Sequence, residues 1–256
     1  MDLTAQRNAI LAVLVALTVG GWAAFLYQAN RPTSMGMAAP AGMDQIASPD
    51  LTMGGSWLLF FAMWVAMMVA MMLPAAAPMV LMYGRMRRDD PGAVLVFTGT
   101  YLALWVAFGG VAYALSAVVD GAAARSEWVA MHWGRGGGIL LVLAGLYQIT
   151  PLKAVCLRHC RSPLAFVATN WREGRRGAIG MGLTHGLYCM GCCWMLFVIL
   201  VPLGLMNVLV MVAVTTVVFA EKVLPGSRHM TLLASAVLIT YGMAAVAVPA
   251  LLPTVS

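Results

Sequence analysis

The sequence predicts an all-α protein, a polytopic membrane helix bundle of about seven transmembrane helices with its N-terminus inside and its C-terminus outside. Composition is the first reason. Of the 256 residues, 62% are hydrophobic and 9% are charged, whereas soluble domains average about 45–50% apolar and about 25% charged residues. The second reason is that apolar runs, each near the ~20 residues that cross a bilayer as a helix, recur along the chain. Together they exclude an ordinary soluble domain, a disordered chain and a disulfide-dense secreted protein.

The apolar runs between polar breaks define the candidate spans. A membrane β-barrel would show shorter segments of alternating polarity, and a helix satisfies its backbone hydrogen bonds internally, as lipid requires. We expect one integral membrane domain over residues 1–256, with an outer Met-rich loop at 28–55 and an inner basic loop carrying Cys and His at 153–176. The predicted spans are residues 9–27, 56–83, 93–119, 137–152, 177–201, 205–221 and 230–252.

Basic residues predict the orientation, because inner segments of membrane proteins carry an excess of Lys and Arg. With the N-terminus inside, only Arg31, Arg125 and Arg135 of the 15 Lys and Arg residues fall in outer segments. A missed or extra span would scramble this alternation, so the pattern also supports seven spans. The net charge of +6 is thereby explained by topology. The expected partner is the lipid bilayer, and no nucleic acid is expected.

Two segments have alternative interpretations. Arg7 followed by an apolar run and small residues resembles a signal peptide, but the run is longer than the usual apolar core of about 7–15 residues, which favours a membrane anchor. The segment 120–136 contains Trp128 and Trp133 and is typical of a short interfacial helix.

All five cysteines lie between residues 156 and 193, in two groups. The first group is CLRHC, just inside the fourth predicted span. On a helix Cys156 and Cys160 share a face, and His159 lies one turn from the first of them. Two thiolates and an imidazole suit Cu(I), and zinc is also compatible. The alternative is a pair of reduced thiols in a basic loop that bind nothing.

The second group is HGLYCMGCCW in the fifth predicted span. His185, Cys189 and Cys193 follow one helical stripe, and Cys192 lies one turn from Cys189. A rise of about 1.5 Å per residue places Cys189 near the middle of a ~30 Å hydrocarbon core. Ionisable groups at that depth are costly and usually functional, so the group predicts a metal or redox site. The alternative is packing, because free cysteine is comfortable as a small buried hydrophobe.

Methionine is unusually frequent, with 21 residues. Thioethers prefer Cu(I) and carry no charge, so they offer ligands within lipid at little desolvation cost. The second span has one such stripe, Met63, Met67 and Met71, which we include among the candidate ligands although methionine is also a common filler of helix interfaces. The outer loop adds Met35, Met37, Met43 and Met53.

Glu221 and Lys222 close the sixth predicted span. They could pair with each other or with the basic inner loop, but the interpretation favoured by their position is that they mark the end of a helix.

Four segments of the sequence resemble one protein family. They are WVAMMVAMMLPAAAP, GLYQITPLKAVCLRHCRSP, GLYCMGCCW and MNVLVMVAVTTVVFAEK. The family is uncharacterised, bacterial and archaeal, and is described as predicted metal-binding integral membrane proteins with a domain of unknown function; the likeness runs from about Trp57 to Lys222. It implies a multi-pass protein of the cytoplasmic (inner) membrane with a metal role. The residues to which it extends that role are Cys156, Cys160, Cys189, Cys192, Cys193 and Glu221.

These observations favour a membrane protein that binds, delivers or transports copper through Cys, His and Met ligands, with a soluble or membrane metalloprotein as a candidate partner. The Met, His and Cys ligands lie at successive depths of the predicted membrane. They would form either one fixed Cu(I) site or a series of sites that relays copper across the bilayer, and the relay requires the second and fifth spans to pack together. One alternative is a copper-dependent membrane oxidase or oxygenase, or a subunit of one, although only His185 lies within a span. A second is a thiol–disulfide oxidoreductase using Cys189 and Cys192, and a third is a structural scaffold.

Overall fold

The structure is a computed structural model that describes residues 3–29, 56–204, 207–224 and 226–253. Within these residues the chain is helical and has no strand, which confirms the all-α class. Nearly all of the predicted outer Met-rich loop, including its four methionines, lies outside the described residues. The helices are α1 Leu3–Ala29, α2 Trp57–Met86, α3 Pro91–Arg125, α4 Glu127–Gln148, α5 Pro151–Arg161, α6 Pro163–Asn170, α7 Gly174–Val198, α8 Leu200–Leu203, α9 Val208–Val223 and α10 Ser227–Ala247, followed by a 3-10 turn at Pro249–Leu251.

Several of these helices are suited to a membrane. Among the described residues, α1, α2, α3, α7 together with α8, and α10 are each long and apolar enough to cross one. The helices α4 and α5 meet this standard only as a pair, which is bent by 62°. At 16 residues, α9 is shorter than the usual span of about 20. The structure thus supports up to six spans by length and composition, while the count of seven and the orientation stay predictions.

The segment 120–136 does not form a separate short helix. Helix α3 continues to Arg125, and α4 begins at Glu127 after the extended backbone of Ser126. The expected interfacial helix is therefore divided between the end of one long helix and the start of the next. Its small and apolar residues extend both helices, so the break comes only at Ser126.

The bend between α4 and α5 places the first cysteine group. Helix α4 ends at Gln148, and the Thr150 side chain caps α5 by accepting a hydrogen bond from the Lys153 backbone N–H. Pro151 occupies the first turn of α5, where its missing N–H costs nothing. Part of the predicted inner loop is therefore helical, and α5 packs against α7.

Close helix approach depends on small residues. Helix α3 packs along both α2 and α7, while α4 packs along α10 and α1 packs along α2. A Cβ atom added at Gly182 would lie 2.6 Å from the Phe97 carbonyl oxygen, and one at Gly242 would lie 2.8 Å from the Gly138 carbonyl oxygen. Small residues at helix contacts let backbones approach in this way.

Candidate metal centre

The packing of α5 on α7 brings the two cysteine groups together. Cys160 Sγ on α5 lies 3.9 Å from Cys192 Sγ on α7. One turn earlier on α5, Cys156 Sγ lies only 2.7 Å from the position that a Cβ at residue 191 would occupy, so Gly191 permits the close approach. Groups that are separate in sequence thus belong to one cluster, which we call the thiol centre: Cys156, Cys160, Cys189, Cys192 and Cys193. All five are free cysteines.

Cys189 has the most polar surroundings of the five. Its Sγ accepts a hydrogen bond from Lys222 Nζ at 3.0 Å, and a second hydrogen bond of 3.1 Å joins it to the Tyr101 hydroxyl. The thiols of Cys192 and Cys193 donate to the Cys189 carbonyl oxygen at 3.0 and 2.9 Å. Helices α3, α7 and α9 therefore meet at this sulfur.

Lys222 is a buried cation, with 8% of its surface exposed. A buried charge is costly unless it is paired and hydrogen-bonded. The described hydrogen bond of its ammonium group is to Cys189 Sγ, and a thiolate at Cys189 would supply the opposite charge. The structure thus couples a sulfur that can ligate a soft metal to a fixed positive charge.

The neighbouring acid has its own partner. Glu221 forms a buried ion pair with Lys153, whose Nζ lies 2.8 and 2.7 Å from the two carboxylate oxygens. The Gln148 side-chain oxygen accepts a hydrogen bond from the same ammonium group. Because this pair is neutral by itself, Glu221 does not balance the charge of Lys222.

Both interpretations of Glu221 and Lys222 hold in part, because the pair does close a helix and Glu221 also pairs with Lys153 of the predicted basic inner loop. Helix α9 does end at Val223, but both side chains are turned into the protein. Lys222 and Tyr101 both contact Cys189 Sγ, but the sequence did not identify either of them as a candidate site residue. The available signal for Lys222 was a Glu-Lys pair ending an apolar run, a pattern that is usually solvated.

His185 lies one turn before Cys189 on α7 and is 2% exposed. Its ring packs among Phe97, Tyr101 and Phe166, with ring centroids 5.5–6.0 Å away. Its Nδ1 atom is buried and has no hydrogen-bond partner among the described residues. A buried polar nitrogen without a partner is rare, which makes this atom a candidate ligand.

His159 does not join the thiol centre. Its Nδ1 atom contacts the Val155 carbonyl oxygen at 2.9 Å, and its ring stacks on Tyr188 with centroids 4.1 Å apart. The side chain instead covers the edge of the α5–α7 contact.

The methionine stripe of α2 is buried. Met63, Met67 and Met71 are 7%, 3% and 1% exposed. However, α2 packs mainly on α1 and α3, whereas α7 packs mainly on α3 and α5. The described link to the thiol centre passes through Tyr101, whose hydroxyl lies 3.5 Å from the Met72 carbonyl oxygen. The extended α2–α7 packing that a relay requires is therefore not the main packing of either helix.

No ready-made metal cage is visible. Within the described parts of the chain, no group of three or more His, Cys, Asp or Glu side chains is arranged to hold a metal ion. Structural zinc sites are closed tetrahedra of such ligands, so the geometry gives zinc no support. The donor atoms present are soft thiols, which suit Cu(I). The metal-ligand roles of the candidate residues remain predictions.

A comparison with known families now bears on the thiol centre. The sequence model of a family described as PpoB2, copper chaperone, matches residues 61–245. This chain belongs to the PpoB2 copper chaperone family. The match covers all five cysteines, His185 and Lys222, so every residue of the centre lies within the PpoB2 region. It supports copper, which was the metal favoured by the sequence. No curated protein and no solved structure matches the chain.

Proposed function

We propose that this protein is an integral membrane copper-handling protein that binds Cu(I) in the thiol centre and passes it to a partner metalloprotein. The observation that carries the proposal is the convergence of Cys160 on α5 with Cys189 and Cys192 on α7, beside the buried ammonium group of Lys222. Membership of a copper chaperone family supports the metal, and the long apolar helices support the membrane.

Charge balance explains why thiols and a lysine belong together. A Cu(I) ion held by two thiolates has a net charge of −1, which a protein interior would disfavour. Lys222 compensates that charge, so the loaded centre is neutral. Cys189 supplies one thiolate, and Cys192 or Cys160 supplies the second after releasing a proton.

Exposure suggests where copper is exchanged. Cys189, Cys192 and Cys193 are each 1% exposed, whereas Cys160 is only partly buried. Because thiol exchange of a metal needs a sulfur that the partner can reach, Cys160 is the residue through which copper enters and leaves. His185, with its free Nδ1 atom, is the inner ligand that completes the centre.

The test is Cu(I) binding by the full chain in detergent. Protein reconstituted anaerobically with Cu(I) would be analysed for metal by mass spectrometry, alongside Cys189→Ser, Cys160→Ser and a control variant, Met243→Leu. Met243 is exposed on α10, so its loss removes a sulfur outside the centre. We expect near-stoichiometric copper in wild type and control, and loss of copper in Cys189→Ser. A folded wild-type protein that retains no Cu(I) would contradict the proposal.

One distance also favours a second candidate, thiol–disulfide exchange. The thiols of Cys160 and Cys192 are 3.9 Å apart, close enough to form a disulfide after a small movement. Counting free thiols before and after treatment with a mild oxidant would distinguish the candidates. Reversible loss of two thiols together with no Cu(I) binding would favour the redox function. The structure adds no support for the copper oxidase alternative, because among the described residues His185 is the histidine that packs beside the centre, whereas a copper oxidase would be expected to use several imidazoles.

A further inference from the structure

A cavity separate from the thiol centre lies where α4 gives way to α5, beside the first turn of α10. Its volume is about 690 Å³. Three arginines line it: Arg158 and Arg161 from α5, and Arg228 from α10. Thr150 and Ser162, which also line it, add hydroxyl groups at its wall. None of the residues lining the cavity is acidic.

The three positive charges are not neutralised within the described part of the protein. The ion pair there joins Lys153 to Glu221, and it involves none of these arginines. Arg161 is held in place, because its Nη2 donates to the Leu224 carbonyl oxygen at 2.8 Å. The guanidinium groups of Arg158 and Arg228 have no such described contact. Concentrated positive charge without an acid attracts an anion.

A second, independent observation comes from Gln148. This side chain lines the cavity and is 3% exposed. Its oxygen is already engaged by Lys153, whereas its buried Nε2 atom has no hydrogen-bond partner among the described residues. Buried donors are almost always satisfied. This atom is closed to solvent, and an acceptor oxygen in the cavity would satisfy it once the Gln148 amide turns toward the cavity.

We propose that this cavity binds a phosphate-type anion, either the phosphodiester headgroup of an anionic lipid or free phosphate. Guanidinium groups bind phosphate oxygens in a bidentate manner, and the Gln148 amide donates to a further oxygen. Basic pockets between membrane helices bind anionic headgroups. Exposed apolar residues beside the cavity, Ile149 and Leu232, suit the start of an acyl chain. None of the five cysteines lines this cavity.

The test compares two ligands on the full chain purified in a neutral detergent. One arm titrates phosphatidylglycerol, with phosphatidylcholine as the neutral control, and counts bound lipid by native mass spectrometry. The other arm titrates inorganic phosphate, with chloride as the control, and follows binding by thermophoresis. The variant is the double substitution Arg158→Gln with Arg228→Gln. The matched control is Arg175→Gln with Arg176→Gln, which removes two exposed arginines from the first turn of α7.

We expect the Arg158/Arg228 variant to bind its anion more weakly by on the order of tenfold or more, and the Arg175/Arg176 control to bind within about twofold of wild type. If the Arg158/Arg228 variant loses binding of phosphatidylglycerol, the ligand is a lipid headgroup. If it loses binding only of inorganic phosphate, the ligand is free phosphate. Equal losses in variant and control, or no saturable binding in either arm, would overturn the proposal.

A third variant tests the amide. Gln148→Glu keeps an oxygen partner for Lys153 but replaces the free donor with a negative charge. We expect it to remain folded, as judged by circular dichroism, and to weaken anion binding as strongly as the double variant. Unchanged binding in this folded variant would show that the cavity does not hold the anion.

Discussion

Lys222 and Cys189 form the contact on which the charge of the thiol centre depends. An ammonium group 3.0 Å from a sulfur, both nearly fully buried, has few physical explanations other than a counter-charge. Cysteine by itself is a comfortable core residue. The lysine is therefore the feature that turns a packed cysteine cluster into a candidate reactive site.

The first prediction concerns that lysine. Lys222→Met removes the counter-charge of the copper-loaded centre, so we expect the Kd for Cu(I) to rise by roughly ten- to hundredfold. Competition against a chromophoric Cu(I) chelator measures it. Lys222→Arg keeps the charge and should raise the Kd less. Arg176→Met removes an exposed charge on α7 and should leave the Kd unchanged. A wild-type Kd for Cu(I) in Lys222→Met would contradict the role of Lys222 as a counter-charge.

The second prediction concerns the buried pair of Lys153 and Glu221. Lys153→Met leaves the carboxylate buried without its partner, which typically costs about 3–5 kcal/mol. We expect a marked fall in the thermal unfolding midpoint, followed in detergent by tryptophan fluorescence. The double variant Lys153→Met with Glu221→Leu removes both charges and should recover most of the loss. A single variant as stable as wild type would mean that the pair contributes no stability.

At the scale of the helices, the α5–α7 contact is the feature that the sequence did not predict. The sequence identified both cysteine groups and the helical stripe of His185, Cys189 and Cys193. It placed the first group in an inner loop, because nothing local to Cys156 and Cys160 shows where the chain turns. The 62° bend decides their position, and the packing that follows joins residues 32 apart.

The third prediction tests this contact directly. A short bifunctional thiol reagent should link Cys160 to Cys192 in the detergent-purified protein, because their sulfurs are 3.9 Å apart. Trypsin cleaves after Arg172 and Arg175, which lie between the two cysteines in sequence. The peptides that carry Cys160 and Cys192 should therefore stay joined after digestion if the reagent has linked them. Cys192→Ser serves as the control and should abolish the Cys160–Cys192 product. If the two peptides separate in the reagent-treated wild type, α5 does not pack against α7 as the structure shows.

The fourth prediction concerns the contact of α3 with α7. A Cβ at residue 182 would lie 2.6 Å from a backbone oxygen of α3, and backbone cannot yield easily. We expect Gly182→Ala to destabilise the protein by about 1–3 kcal/mol. Gly99→Ala, on α3 with nothing within 4 Å of the added atom, should be neutral or stabilising because alanine favours helix. Thermal unfolding of the two variants measures the difference.

At the scale of the whole molecule, composition and apolar runs predicted a bundle of long helices because bilayer-length helices have a strong and local signature. The boundaries between helices were weaker, as at Ser126, where one predicted interfacial segment belongs to two helices. Burial of Lys153, Glu221 and Lys222 could not be inferred from position along the chain. Each is buried through a partner on another helix, and charged residues at the ends of apolar runs are usually solvated.

The fifth prediction concerns orientation. If α9 crosses the membrane despite its 16 residues, seven spans place the two ends of the chain on opposite sides. A reporter enzyme that is active only outside the cytoplasm should then be active when fused after residue 256 and inactive when fused at Arg172 in the basic segment. Activity at Arg172 but not at the C-terminal fusion would reverse the orientation. Equal activity at both positions would instead mean an even number of crossings between them, and so would contradict the three predicted there.

The position of Lys222 also has a consequence for biosynthesis. It follows Cys189 by 33 residues, and Glu221 follows Lys153 by 68. Because the chain is made from its N-terminus, all five thiols leave the ribosome before the lysine does. A nascent chain therefore carries the sulfur ligands without their counter-charge and without α9 beside them. If the thiol centre binds Cu(I) as proposed, a nascent chain should compete poorly for the ion until α9 has been made and Lys222 lies beside Cys189.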